Sequence, residues 1–405
     1  MPSASLPPLK ILVAGTYDPE VARNRRLLQQ LRAAGHQIEE RRAELWGSAR
    51  HELVKTSKFA TIRRALTAYP TLVWKVATAP KPDLLLVLYP GWVDVIILSI
   101  VARLRRVPLV FDMFISLSDT IVSDRKMVTE QSVIGQIAKL IDRFSIKCAT
   151  RTIADTPVHA EFFARLGGVD RDRVGHVWLG AQDDIFLPAP TAPGPRCRQV
   201  LFYGTFIALH GLDTILRAAK ELEAGDIHFL LIGTGQEQAN VDKLVAQLQP
   251  TNLTFVERVE ITELPAIIEQ SAVCLGIFGT SEKAGRVVPN KVFESLAVGR
   301  AVVTADTPAM RLAFRADEIA TVPAGDPTAL AQKLRELIND PALRDSYADA
   351  GQLRYQQDYT ASRGISAIDA ELRTALAHVR FASRLPRRRR RDAEFAQVRK
   401  RSEHQ

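Results

Sequence analysis

Short apolar runs alternate with longer segments of helical periodicity along most of the chain. In the first half, the pattern predicts strands at residues 10–14, 84–88, 109–111, 151–154 and 174–178. It predicts helices at residues 19–34, 92–105, 134–149 and 158–166. Continuously apolar strands separated by helices indicate a parallel sheet that is covered by helices on both faces.

The same alternation resumes in the second half of the chain. Its predicted strands are residues 200–203, 229–232, 254–256, 273–277 and 301–304. Four prolines and a glycine crowd between Asp183 and Arg198, which indicates a linker. The predicted fold class is therefore α/β, with two Rossmann-like, doubly wound domains facing a central cleft. Ligands of such sheets bind outside the carboxyl ends of the strands, so the cleft is the expected site.

These patterns divide the chain into five segments. They are a first Rossmann-like domain at 1–185, a Pro-rich linker at 186–198, a second Rossmann-like domain at 199–358, a C-terminal helix at 359–383 and a basic tail at 384–405. We expect the C-terminal helix to close the second domain or to cross back to the first one.

The positive charge of the chain is concentrated in that tail. The formal net charge is +9, and residues 384–405 carry nine Lys/Arg and three Asp/Glu, which is +6 of the total. The high isoelectric point therefore gives no evidence for a nucleic-acid partner. The tail has little apolar content, which predicts disorder. Three alternatives remain for it: a solvated charged end, a segment attracted to an anionic membrane surface, or, least favoured, a segment that contacts nucleic acid.

The remaining composition favours a protein of the cytoplasm. Apolar residues make up 46% of the 405 positions, which suffices for two cores. The three cysteines are far apart, so neither a disulfide framework nor a zinc site is expected. The first ten residues show no signal peptide, and no apolar run approaches the roughly 20 residues that span a bilayer. We expect a soluble protein, peripheral at most on the inner face of the plasma membrane.

The strongest candidate chemistry lies in residues 281–299. A loop containing Arg286, Val287 and Val288 leads into an apolar helix that carries Lys291 and Glu294. The free N–H groups and positive end of a helix suit a diphosphate, and Lys291 and Arg286 add charge. Glu294 lies one turn further on and can accept hydrogen bonds from sugar hydroxyls. The alternative is a surface loop whose charged side chains are solvated.

Glycines follow two strands of the second half in positions that permit close approach to a ligand. Gly204 and Thr205 end the first strand, His210 follows them, and Gly233 and Gly235 end the next strand. Backbone of this kind can contact phosphate. The alternative for each glycine is a tight turn that requires a positive φ.

Candidate residues of the first half also follow strands. Gly15 and Thr16 end the first strand, Asp112 ends the third, and Asp119 lies in the loop beyond. If these residues face the cleft, Asp112 could orient an acceptor hydroxyl or act as a base. A turn or helix cap is an equal alternative for Asp119.

The sequence resembles the retaining glycosyltransferases of family four, which have the GT-B fold. The resemblance covers residues 8–380 and is strongest from Val200 to Ala309. It rests on the order and spacing of segments 200–206, 210–212, 230–235, 261–270 and 289–303. It implies that the first domain binds the acceptor and the second a nucleotide sugar, with no required metal or other cofactor. It also implies a donor-recognition role for Glu294.

The sequence departs from the family at three positions. Arg286 stands where the family's Glu-x7-Glu motif has its first glutamate, and Thr205 and His210 replace the usual Arg and Lys. Our hypothesis is that Arg286 and Lys291, with Lys283, supply the missing charge to the diphosphate. Such charge-assisted contacts are the stronger class of hydrogen bond.

The function expected from the sequence is therefore sugar transfer with retention of configuration. The donor is a nucleotide-diphosphate sugar, and the acceptor is a glycan, a lipid-linked sugar or a small hydroxyl compound of envelope or exopolysaccharide biosynthesis. Two alternatives remain open. One is a non-catalytic nucleotide-sugar-binding protein, and the other is a nucleotide-sugar epimerase or hydrolase of the same fold.

Overall fold

The computed structural model describes residues 7–44, 58–124, 129–189, 194 and 197–384. The predicted tail, apart from Arg384, and most of the Pro-rich linker lie outside these residues. Within them, the chain forms two parallel six-stranded sheets, each with helices on both faces. The prediction of two doubly wound α/β domains is confirmed.

The first sheet belongs to the first domain. Its strands are β1 (Lys10–Gly15), β2 (Gln37–Arg42), β3 (Leu84–Val87), β4 (Leu109–Asp112), β5 (Arg151–Ala154) and β6 (Val174–His176). The order across the sheet is β2-β1-β3-β4-β5-β6, and every neighbouring pair is parallel. The helices are α1 (Ala22–Ala33), α2 (Lys58–Thr78), α3 (Trp92–Arg105), α4 (Val133–Cys148) and α5 (Pro157–Gly167).

The second sheet repeats this plan. Its strands are β7 (Gln199–Tyr203), β8 (His228–Ile232), β9 (Leu253–Val256), β10 (Val273–Leu275), β11 (Ala301–Ala305) and β12 (Ala320–Val322), in the order β12-β11-β10-β7-β8-β9. The helices are α6 (Leu212–Glu221), α7 (Gln238–Leu248), α8 (Leu264–Glu269), α9 (Asn290–Val298), α10 (Pro308–Ala313), α11 (Pro327–Asn339) and α12 (Pro341–Asp358).

The central strands are apolar throughout because both faces of each sheet are covered. All four residues of β3 are buried, as are all five of β11. The helices α2, α3 and α5 contribute to the core on one face of the first sheet, and α1 packs on the other. Continuous burial of this kind is what distinguishes a parallel sheet from an alternating, half-solvated one.

The last described helix, α13 (Ala361–Arg384), packs on the first domain. Its residues Ile368, Leu372 and Ala375 are fully buried in the core that contains Leu27 and Leu31 of α1. The chain thus leaves the second domain through α12 and ends its described part against the first. Within the described residues, none of the helices is both long and apolar enough to cross a bilayer.

Four helices begin with the same capping sequence. In each, a Thr or Asp side chain caps the helix by accepting from a backbone N–H three residues on, and a proline occupies the first turn. The pairs are Thr156-Pro157, Thr307-Pro308, Asp326-Pro327 and Asp340-Pro341. The cap and the proline together fix the residue at which each of these helices begins.

Candidate active site

Lys291 is the buried cation of the second domain's site. It lies in the first turn of α9, and only 6% of its surface is exposed. Its Nζ lies 3.8 Å from the centroid of the Phe202 ring and has no hydrogen-bond partner in the described part of the chain. Burial lowers the pKa of Lys291 to about 7, against the opposing effect of Glu294. An ammonium without a partner is costly to bury, so the site is prepared for an anion.

His210 completes the same pocket. Its ring packs edge-on against Phe202, at 5.5 Å between centroids, and its buried Nδ1 has no hydrogen-bond partner in the part of the chain that the structure describes. Burial and the neighbouring Lys291 hold the pKa of His210 well below its usual value, against a hydrogen bond with the Thr205 backbone. His210 is therefore neutral at pH 7 and contributes hydrogen bonding rather than charge.

Gly204 provides the opening between these two side chains. A Cβ at this position would lie 3.2 Å from Lys291 Nζ and 3.5 Å from His210 Cε1, and its φ is +132°. A side chain here would therefore cover the unpartnered groups. Thr205, the next residue, is exposed.

Gly233 and Gly235 have a different role, which is close packing between loops. A Cβ on Gly233 would meet the Gly204 carbonyl at 2.1 Å, and one on Gly235 would meet the Phe206 carbonyl at 2.5 Å. Phe206 N–H also donates to the Thr234 carbonyl at 3.0 Å. These contacts hold the loop after β7 against the loop after β8, and so fix Gly204 in place.

Glu294 lies one turn along α9 from Lys291 and is partly exposed. The Tyr203 hydroxyl donates to its Oε2 at 3.0 Å and also lies 3.2 Å from the Lys291 carbonyl. Burial raises the pKa of Glu294 to about 7, and the Tyr203 hydrogen bond and the Lys291 charge lower it. Tyr203 therefore fixes the carboxylate while leaving its second oxygen able to accept from a ligand.

The start of α9 offers backbone donors beside Lys291. Pro289 precedes the helix in extended conformation and provides no side-chain cap. Among the described residues, no acceptor is present for the N–H groups of Val287 and Val288. Free N–H groups at a helix start bind anions.

Arg286 lies where the two domains meet. Its guanidinium donates to Asp119 Oδ2 at 2.8 Å and lies 3.9 Å from the centroid of the Phe162 ring, both in the first domain. The Thr156 hydroxyl donates to its carbonyl. The sequence hypothesis assigned Arg286 to the diphosphate, but the structure shows its charge paired with a buried carboxylate. Arg286 connects the domains in this arrangement, whereas the buried Lys291 has no ionic partner at hydrogen-bond distance among the described residues.

Asp112 is not available to a substrate in this structure. It is fully buried, and Arg23 donates to both of its oxygens, at 2.7 and 3.0 Å. Arg23 also donates to the Val177 carbonyl at 2.9 Å. Asp112 thus neutralises a buried arginine of α1. The geometry gives no support to the prediction that its carboxylate orients an acceptor or acts as a base.

Gly15 and Thr16 lie at the end of β1, where Asp94 of α3 holds them. Thr16 N–H donates to Asp94 Oδ2 at 2.6 Å, and the Thr16 hydroxyl donates to the same carboxylate. A Cβ on Gly15, whose φ is +145°, would lie 2.6 Å from that oxygen. These two residues shape the first domain's edge of the cleft.

A cavity of about 300 Å³ lies between the domains beside the Arg286–Asp119 pair. Lys139 and Phe162 also line it from the first domain, and Lys283 from the second. The volume is at the lower end of the range for small-molecule sites.

Family models match both domains of the chain. A model described as a glycosyl transferase 4-like domain matches residues 21–178, and one described as glycosyl transferase-like matches residues 213–370. Together the two models span most of both sheets. The chain belongs to the group 1, or family-four, glycosyltransferases of the GT-B fold. Lys291 and Glu294 of this glycosyltransferase fall within the second model.

Individual proteins also resemble this glycosyltransferase, either over only part of the chain or at low sequence identity. A phosphatidyl-myo-inositol mannosyltransferase of Mycobacterium leprae is 29% identical over 214 residues, which are 50% of this chain and 55% of that protein. The matched segment thus spans about half the relative's length. A sucrose-phosphate synthase of Thermosynechococcus elongatus superposes with a TM-score of 0.69 at 17% identity, covering 91% of this chain and 98% of that one.

A further solved structure was determined with a nucleotide sugar bound. Anabaena Alr3699/HepE in complex with UDP-glucose superposes with a TM-score of 0.63 at 15% identity, covering 90% of this chain and all of that one. At these identities, the structural likenesses establish the fold alone.

The structure adds site residues that the sequence patterns do not identify. Phe202 and Tyr203 are predicted only as strand residues, yet their side chains contact Lys291 and Glu294. Arg23 and Asp94 lie in predicted helices, and their partners are distant in sequence. Periodicity marks such positions as inward-facing and gives no information on which polar groups meet there.

Proposed function

We propose that this protein is a retaining glycosyltransferase that moves a sugar from a nucleoside-diphosphate sugar to an acceptor hydroxyl. The observation that carries the proposal is the buried Lys291 ammonium, which has no hydrogen-bond partner among the described residues and lies beside Gly204 at the start of α9. A diphosphate at this point would supply the missing partner. Family membership supports the same reaction class.

In the proposed reaction the leaving diphosphate binds at the start of α9. Lys291 and the N–H groups of Val287 and Val288 stabilise the charge that grows on it when the bond to the sugar breaks. His210, being neutral, offers a ring nitrogen to a phosphate or sugar hydroxyl. No protein nucleophile is needed if the leaving phosphate itself accepts the acceptor's proton, as the family resemblance implies.

Glu294 is proposed to bind donor hydroxyls. Its Oε2 is held by the Tyr203 hydroxyl, so its other oxygen has a defined direction. A carboxylate that is fixed in this way can accept from two neighbouring hydroxyls of a ribose or hexose. We therefore propose that Glu294 recognises the donor. We propose no catalytic role for Asp112, which pairs with Arg23.

The proposal for the acceptor rests on the family resemblance, and the proposal for a membrane location rests on the basic residues of the chain. The acceptor is a glycan, a lipid-linked sugar or another hydroxyl compound of envelope or exopolysaccharide biosynthesis. The protein would work in the cytoplasm, at the inner face of an anionic plasma membrane, and without nucleic acid. We propose that no metal ion is required, because Lys291 and the start of α9 supply positive charge to the diphosphate.

The test is release of nucleoside diphosphate from UDP-, GDP- and ADP-sugars, with and without candidate acceptors. Release that requires an acceptor, together with a new glycoside of retained configuration, would support the proposal. Release without acceptor would indicate a hydrolase, and isomerised donor an epimerase. Binding of a nucleotide sugar without turnover across the acceptor set would indicate a binding protein. Each of the last three outcomes contradicts transfer.

A further inference from the structure

Helix α4 turns most of its large apolar side chains away from the core of the first domain. Its buried residues are Gly135, Ala138, Asp142, Ser145 and Ile146, of which only Ile146 is large and apolar. Its apolar residues Val133, Ile137 and Phe144 point outward, and Phe144 is 54% exposed. A surface helix normally buries its apolar stripe, so this stripe requires another partner.

The inward face of α4 explains why the helix keeps this orientation. The Asp142 carboxylate accepts from the N–H groups of Leu117 and Ser118, each at 2.8 Å. The helix is thus fixed by hydrogen bonds to the loop after β4 and turns its apolar stripe away from the core. The stripe comprises positions 133, 137, 140 and 144, which share one face at helical spacing.

Neighbouring helices extend the exposed apolar surface. The helices α2, α3 and α4 are adjacent in one layer, and ten of the fifteen exposed large apolar side chains of the described chain lie on them. Trp74 on α2 and Leu104 on α3 are 66% and 80% exposed. A concentration of exposed apolar side chains on one layer of helices is the pattern expected of an interaction site.

The exposed charged side chains on these three helices are all basic. The three helices contain nine Lys/Arg, and their only acidic residues are Asp94 and Asp142, which are both buried. On α4, Lys139, Arg143 and Lys147 form an exposed stripe beside the apolar one. Glu130, which precedes α4, pairs with Lys139 at 2.9 Å, and Arg143 and Lys147 keep their exposed charges on the helix. The outer face of α4 itself is therefore apolar and basic.

We propose that this outer face of α2, α3 and α4, centred on α4, docks on an anionic lipid bilayer. Apolar side chains would enter the headgroup region while the basic stripe pairs with lipid phosphates. A second copy of the chain fits less well, because a two-fold contact would bring the same basic stripes together. An acidic protein partner would satisfy the charge but is an outcome for the test.

The docking face continues to the cavity between the domains. Gly135 and Lys139 of α4 line that cavity opposite Arg286. A bilayer under α4 would therefore lie close to the cavity mouth, and an acceptor with a lipid anchor could reach the cavity without leaving the membrane. This part rests on the proposed transferase function; the docking does not.

The experiment measures sedimentation of the full chain with vesicles of phosphatidylcholine, alone or with about 30% phosphatidylglycerol. The test variant carries Ile137→Ser, Leu140→Ser and Phe144→Ser. The matched control carries Leu312→Ser and Leu353→Ser, since these two residues of the second domain are 57% and 55% exposed. A second variant, Arg143→Gln with Lys147→Gln, tests charge alone.

We expect binding to the anionic vesicles only, reduced about tenfold in the triple-serine variant and in the charge variant. The control should bind as the natural chain does. Equal binding by the triple-serine variant, including binding caused by the basic tail, would overturn the proposal. A natural chain that is dimeric, with a triple-serine variant that is monomeric, would also overturn it, because the face would then bind a second copy. UDP affinity and melting temperature of each variant should stay unchanged, which separates failure of docking from failure of the donor site or of folding.

Discussion

The Arg286 guanidinium and the Asp119 carboxylate form a hydrogen-bonded ion pair of 2.8 Å between the two domains. Both residues are 8% exposed, so the pair is shielded from water. The resemblance to the family implies that Arg286 stands where a glutamate is usual. In this structure the arginine joins the two domains through Asp119.

A double-mutant cycle measures the coupling of this pair. Arg286→Gln, Asp119→Asn and the double variant should show a coupling of about 1–3 kcal/mol in the free energy of unfolding, obtained from denaturant titration. The exposed Arg311–Asp306 pair, with the arginine 69% exposed, is the control, and its coupling should stay below about 1 kcal/mol. Additive effects of the two changes at Arg286 and Asp119 would show that the contact does not hold the domains together.

Donor affinity should depend on pH through Lys291. Its pKa of about 7 means that the free protein loses this charge as the pH rises. Because a diphosphate pairs with the charged form, binding above about pH 7 requires proton uptake, and affinity should fall by up to about tenfold per pH unit. The probe is UDP-glucose, whose phosphates do not titrate in this range, measured by calorimetry.

Lys291→Arg provides the control for this dependence. An arginine stays charged throughout, so the decline of affinity above neutral pH should disappear. A decline that persists in this variant would assign the titration to another group, such as His210 or Glu294.

Tyr203→Phe should change the acid side of the same profile. The Tyr203 hydrogen bond lowers the pKa of Glu294, so its removal raises that pKa further above the ordinary value. More Glu294 is then protonated near neutral pH, and the loss of donor affinity on acidification should begin at higher pH. UDP-glucose titrations between about pH 5 and about pH 9, which bracket a pKa of about 7, measure this shift. An unchanged acid limb would exclude Glu294 from donor binding.

Gly15→Ala should destabilise the first domain's edge of the cleft. The added Cβ would lie 2.6 Å from Asp94 Oδ2, at a φ of +145°. We expect a loss of about 2–4 kcal/mol in the free energy of unfolding, since strain and a displaced buried carboxylate combine. Gly35→Ala is the control, because Gly35 has a positive φ but open space around it. It should cost only about 1 kcal/mol. Equal costs would mean that the Asp94 contact is unimportant.

Much of the fold was predictable from the sequence because the central strands are apolar without interruption. The strand β2 was not predicted, because its six residues include only one apolar side chain, Ile38. It lies at the sheet edge, where polar residues are tolerated. The helix α2 contains Pro70, which interrupts a helical pattern in the sequence. Local patterns therefore located the central strands and the edge strands β6 and β9, and missed β2, β12 and α2.

The site was predictable only where its residues are close in sequence. Lys291 and Glu294 share one helix, so their spacing alone brought them together. Arg286 and Asp119 are 167 positions apart, and Arg23 and Asp112 are 89 apart. Which charges meet across such separations depends on how the domains pack, and that information is not present in local periodicity. The roles first assigned to Arg286 and Asp112 therefore changed most.

The central claim is that Lys291 binds the donor diphosphate, and calorimetry of nucleoside-diphosphate binding tests it most directly. UDP, GDP and ADP are titrated into the natural chain, and the tightest of them is then titrated into Lys291→Ala and into Lys243→Ala, an exposed lysine of the same domain. Loss of a buried charge-assisted contact should weaken binding by about 10–100-fold in Lys291→Ala, with no change in Lys243→Ala. Affinity in Lys291→Ala equal to that of the natural chain would contradict the account.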